Sequence, residues 1–133
     1  MIQLGDNNLA DPAGAGKQAA DVAKALKARN QKCVWITPAS IRGAKCTKQR
    51  SQKGAVAVEL KTALSGSGCE VIDSFTLTNS NPPMTKDPYC LHYPGKYDEW
   101  ASAIKPKLLD AINKASSASQ KTPSRPVQQR SSR

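Results

Sequence analysis

Three short apolar runs alternate along this chain with stretches of helical period. Residues 2–4, 33–37 (Cys-Val-Trp-Ile-Thr) and 70–75 (Glu-Val-Ile-Asp-Ser-Phe) have strand length and are enriched in β-branched and aromatic side chains. Between them, Ala19, Val22, Ala23 and Leu26 recur at i, i+3, i+4 and i+7, and Val56, Leu60, Ala63 and Leu64 at i, i+4, i+7 and i+8. Both patterns predict amphipathic helices. The first should end near Arg29 and Asn30, the second at Ser65-Gly66-Ser67-Gly68, where glycine can take the left-handed conformation that closes a helix. A last helix over residues 97–114 would carry Tyr97, Ala101, Ile104, Leu108, Ala111 and Ile112 on one stripe. Pro106 should kink it, because proline lacks a backbone donor and crowds the carbonyl of Ser102.

Strand, helix, strand, helix, strand, helix is the order of an α/β fold with a parallel sheet and crossover helices. Three strands make a small sheet, and the first begins at residue 1 or 2, so the pattern predicts a fold incomplete at its N-terminus, with a segment missing before Met1. In open α/β sheets, ligands sit beyond the carboxyl ends of the strands. Here those ends lead into residues 5–8, 38–41 and a long connection over 76–95 that holds the one histidine of the chain.

Composition adds a charge. The 133 residues include 20 Lys and Arg against 10 Asp and Glu, a formal net charge of +10. Residues 115–133 contain Lys121, Arg125, Arg130 and Arg133, no acid, and Val127 as the one large apolar side chain. Such a segment cannot bury enough surface to offset its ordering entropy, so a domain over 1–114 and a disordered basic tail over 115–133 are expected. Arg42, Lys45, Lys48, Arg50 and Lys53 form a second basic cluster without an intervening acid. It reads as a solvated loop or as a surface for an anionic glycan, lipid or protein partner. Nucleic acid is disfavoured, because the cluster has no interleaved aromatics and no binding motif accompanies it. No run reaches the roughly 18–20 apolar residues of a membrane span, and no basic and apolar leader follows Met1. The chain as written is therefore expected in the cytoplasm, although a longer parent could be exported.

Gly5-Asp6-Asn7-Asn8 follows the first strand. It reads as a simple turn, or as one that aims an asparagine amide into the crevice toward a developing oxyanion. His92, in the loop before the last helix, reads as a solvated residue or as a general base. Gly14-Ala15-Gly16-Lys17 lacks the first glycine of a phosphate loop and is followed by Gln18 in place of Ser or Thr, so it is expected to be a loop feeding the first helix. The four cysteines contain no Cys-x-x-Cys pair, and one histidine completes no zinc pattern; neither metal nor cofactor is expected. Cys33 and Cys69, which open strands, are expected as buried thiols. Cys46 and Cys90, in loops at the same end of the sheet, are either a disulfide of an exported parent or free thiols. Trp35 and Trp100 should pack between sheet and helices.

Taken together, a Leu-Gly-x-Asn turn, a Trp-Ile-Thr-Pro strand and a Leu-His-Tyr-Pro-Gly-Lys-Tyr-Asp-Glu-Trp-Ala stretch leading into the last helix resemble the C-terminal part of the SGNH (GDSL-type) esterase and lipase family, over residues 2–112. The resemblance implies a three-layer parallel-sheet SGNH/flavodoxin-like fold and hydrolysis of carboxylic esters, acetylated glycans among them. It makes Asn7 the oxyanion donor, Gly5 the turn residue and His92 the base. Asn8 stands where the family has Asp, and Tyr89 stands three residues before His92 where the family places the orienting carboxylate. Asp87, five residues before His92, is the out-of-register substitute. The Gly-Asp-Ser block has no counterpart, and neither Ser40 nor Ser74 matches its motif. The isolated chain is thus expected to be inactive unless extended upstream; the alternative is a noncatalytic basic module.

Overall fold

The computed structural model describes residues 1–3 and 5–119. Its elements in chain order are β1 (Ile2–Gln3), α1 (Pro12–Ala28), β2 (Cys33–Ile36), α2 (Thr47–Leu64), β3 (Cys69–Ile72), α3 (Ser74–Asn79) and α4 (Tyr97–Ser119). The strands pair in parallel in the order β1-β2-β3, with Ile2 opposite Trp35 and Cys33 opposite Cys69.

Local chemistry explains several boundaries. Asp11 caps α1 by accepting the Gly14 N–H at 2.9 Å, and Pro12 occupies the first turn, where its missing donor is harmless. Gly14-Ala15-Gly16-Lys17 is therefore helix and not loop: Gly16 is buried, and a Cβ there would meet the Glu59 carbonyl at 3.3 Å, so glycine permits the close approach of α1 to α2. The third strand stops at Ile72, short of the predicted Phe75. Asp73 accepts the Thr76 N–H at 3.1 Å and turns the chain into α3. Pro106 lies inside α4, which continues five residues past Lys114. The remainder of the expected disordered tail, 120–133, lies outside the described residues.

The three-layer parallel-sheet, SGNH/flavodoxin-like fold expected from the sequence is not what the chain builds. Helices of 17, 18, 6 and 23 residues dominate strands of two, four and four. The sheet is a narrow strut between helical clusters. Trp35 points into one with Ala15, Ala19 and Ala23 of α1 and Val56, Leu60 and Leu64 of α2. Val34, Ile36 and Ile72 meet Ile104 and Ala111 of α4 in another. Alternation along β2 sends successive side chains to opposite sides, and all four of its residues are buried. A third cluster joins Ala39, Ile41, Cys46, Cys90 and Tyr93 beyond the strand ends.

The cysteines correct a further expectation. Cys33 and Cys69, expected as thiols, are disulfide-bonded across directly paired positions of β2 and β3, with Cα atoms 4.7 Å apart. Cys46 and Cys90 form the second disulfide, with Cα atoms 5.5 Å apart.

Candidate functional site

The turn after β1 is shaped by Gly5, whose φ of +123° suits glycine and whose missing side chain lets the backbone lie against Val56, Pro38 and Leu60. Its carbonyl accepts the Asn8 N–H at 3.1 Å. Asn7 is exposed at the tip, and Asp6 turns inward to an ion pair with Lys53. Lys53 is wholly buried, and its Nζ also donates to the Leu91 carbonyl at 3.1 Å. One ammonium thus ties the turn that carries Asn7 to the loop that carries His92. This corrects the reading of Lys53 as an anion-binding side chain, because both of its acceptors are internal.

The His92 loop is organised by Asp87. Its Oδ1 accepts the Tyr89 N–H at 3.1 Å, while Oδ2 accepts those of Leu91 and His92 at 2.8 and 2.9 Å. The His92 N–H, then those of Tyr89 and Leu91, hold the Asp87 carboxyl below its ordinary value against a smaller opposing effect of desolvation, helped last by the charge of His92. Thr85 Oγ1 donates to the His92 carbonyl and fixes the loop from the other side. The imidazole is 62% exposed, with Nδ1 at 3.6 Å from Asp87 Oδ2. Asp87 therefore stands beside His92 despite its sequence offset, at a separation longer than a hydrogen bond.

Among the described residues no hydroxyl hydrogen-bonds the His92 ring. The Ser40 hydroxyl, fully buried, donates to Asn79 Oδ1 at 3.2 Å and accepts from Arg50 Nε at 3.1 Å. That of Ser74 accepts from Trp100 Nε1 at 2.8 Å. Both serines are structural bridges.

The remaining basic residues divide. Arg50 is engaged with Ser40 and with the carbonyl and side chain of Asn79, so it belongs to the scaffold. Arg42, Lys45 and Lys48 are exposed and make no ion pair among the described residues. They stand on a braced segment. The Arg42 N–H donates to the Pro83 carbonyl at 2.9 Å, the Thr85 N–H donates to the Arg42 carbonyl at 2.8 Å, and the Cys46–Cys90 disulfide pins the start of α2. This pinning brings two residues to the cluster that sequence reasoning did not include. Lys86 adjoins Arg42 through Thr85, and Tyr89, 72% exposed, sits one residue from Cys90 as Lys45 sits one residue from Cys46. Pairing Cys46 with Cys90 was the signal in the sequence that could have joined them.

Among the described residues no group of three or more His, Cys, Asp or Glu side chains is placed to hold a metal ion, and no helix is long and apolar enough to cross a membrane. Comparison with protein-family models, with curated proteins and with solved structures returned no match.

Proposed function

We propose that this protein is a noncatalytic module that binds an anionic glycan through Arg42, Lys45, Lys48 and Lys86, with Tyr89 as an aromatic platform beside them. The observation that carries this reading is the Cys46–Cys90 disulfide, which joins the chain neighbour of exposed Tyr89 to that of Lys45, beside exposed cations that make no ion pair among the described residues. Cations attract sulfate or carboxylate groups, and an aromatic ring offers a flat apolar face to a sugar ring. Two disulfides suit an oxidising compartment, where such glycans occur. The test is binding to dextran sulfate and to neutral dextran across a salt series. Binding to the sulfated polymer alone, weakened by salt and lost in an Arg42→Ala/Lys45→Ala/Lys48→Ala variant, supports the module. Equal binding by that variant defeats it.

A second reading, hydrolysis of carboxylic esters with His92 as base and Asn7 as oxyanion donor, is supported by the 3.6 Å approach of His92 to Asp87. Its requirement is a nucleophile, which neither Ser40 nor Ser74 supplies with the partners they have. A short aryl ester assayed beside His92→Ala decides it: equal rates remove His92 from any hydrolytic role.

A further inference from the structure

The Cys33–Cys69 disulfide joins the first residues of β2 and β3. Both cysteines line two cavities, one of about 270 Å³ with Lys32, Gly68, Glu70 and Lys114, the other of about 90 Å³ with Lys27, Asn30 and Ser67. Cys69 is partly exposed, whereas Cys33 is 8% exposed. Gly66 and Gly68, both at positive φ, lead into Cys69, and a Cβ on either would meet nothing within 4 Å, so the chain entering this cysteine is uncrowded. The titratable side chains of the larger cavity are two lysines against one carboxylate, Glu70, which Lys114 pairs at 3.3 Å. The other disulfide is enclosed. Cys46 and Cys90 are 4% and 2% exposed among Ala39, Ile41 and Tyr93, and a Cβ at Gly43 would meet Cys46 Sγ at 2.7 Å.

We propose that Cys33–Cys69 is a thiol-exchange site, at which a small acidic thiol enters the larger cavity and forms a mixed disulfide with Cys69. Exchange requires a thiolate to reach one sulfur, and nearby cations favour both the attacking and the departing thiolate. The incoming thiolate gives its electron pair to Cys69 Sγ, the bond to Cys33 breaks, and Cys33 leaves as a thiolate that takes a proton from water. A second equivalent of the same thiol then attacks the small molecule's sulfur. Cys69 departs and is protonated, and the two small thiols leave as their own disulfide. The lysines of the cavity select an acidic thiol over a basic one. Burial keeps Cys46–Cys90 out of the same reaction.

The experiment treats the folded full chain with reduced glutathione, a tripeptide thiol of net negative charge, and with cationic cysteamine, at equal thiolate concentration and low salt. Samples quenched in acid early in the reaction, then alkylated and mapped by mass spectrometry, report which sulfurs have opened. Cys33–Cys69 should open about tenfold faster than Cys46–Cys90, with glutathione carried on Cys69 and a thiol on Cys33. In urea the two rates should converge. Glutathione should outpace cysteamine, and added salt should narrow the gap. Lys32→Gln/Lys114→Gln should slow glutathione about threefold and leave cysteamine as fast or faster. The proposal is overturned by opening of Cys46–Cys90 at an equal or greater rate, by glutathione carried on Cys33, or by cysteamine reacting as fast as glutathione. An unchanged glutathione rate in the double variant overturns it as well. So does a rate difference between the disulfides that persists in urea, which would place the difference in local sequence and not in the fold.

Discussion

Replacing Lys53 by methionine keeps the length and most of the volume of the side chain but removes an ammonium that has no solvent exposure and two protein acceptors. Asp6 then loses its counter-charge, and the Leu91 carbonyl loses a donor. Breaking one side of a buried ion pair typically costs about 3–5 kcal/mol. Asp6 keeps 27% of its side-chain surface in water, which partly rehydrates the orphaned carboxylate and places this variant near the lower bound, at about 3 kcal/mol. The reverse change, Asp6→Ala, leaves the charge on the partner that water cannot reach, and should cost more, about 4–5 kcal/mol. The double variant should cost clearly less than the sum, because neither charge is then stranded. Circular dichroism during urea and thermal unfolding at pH 7 measures all three. At roughly 4 °C per kcal/mol for a domain of this size, Lys53→Met should lower Tm by about 12 °C. A Lys53→Met change within about 0.5 kcal/mol of the parent, or a larger loss for Lys53→Met than for Asp6→Ala, would refute the reasoning.

The depressed Asp87 carboxyl should stabilise its loop at pH values above the ordinary aspartate range, and that contribution should vanish as pH falls through the lower folded value; the amide shifts of Leu91 and His92 followed by NMR should move in that range, and Asp87→Asn should abolish the movement. Each disulfide closes a long loop, with sequence separations of 36 and 44, so Cys33→Ala/Cys69→Ala and Cys46→Ala/Cys90→Ala should each cost about 4 kcal/mol in urea unfolding. A Cβ at Gly54 would meet Phe75 Cζ at 3.0 Å, and Gly54→Ala should destabilise by about 1–2 kcal/mol. A Gly54→Ala protein more stable than the parent would show that Phe75 moves aside freely.

Periodicity made α1, α2 and α4 legible as helices, but α3 was not foreseen and the buried faces were read only in part: of the α4 stripe Ile104 and Ala111 are buried, whereas Tyr97, Ala101 and Ile112 are exposed, as is Val22 in α1. The end of β3 was not legible either. The run Glu-Val-Ile-Asp-Ser-Phe has strand character throughout, and the side chain of Asp73 decides where helix begins. The fold class failed for a related reason. Strand-like composition says nothing of how few residues pair, and two to four per strand leave the helices in control. At the candidate site, charge could be counted from the sequence but its fate could not. Arg42 and Lys53 look alike in a basic cluster, yet one faces water and the other is buried against Asp6. Likewise, Asp87 stands near His92 because its oxygens collect three backbone donors, a geometry that motif spacing does not encode.

The two disulfides overlap along the chain, since Cys46 lies between Cys33 and Cys69, and Cys69 lies between Cys46 and Cys90. Any single peptide-bond cleavage between Cys33 and Cys90 therefore falls inside at least one covalent loop. A protease that nicks an exposed loop there releases nothing: the two fragments remain one molecule, separable on a gel only after reduction. The protein can lose backbone continuity through its middle and still hold the exposed cations and Tyr89 on one covalent body.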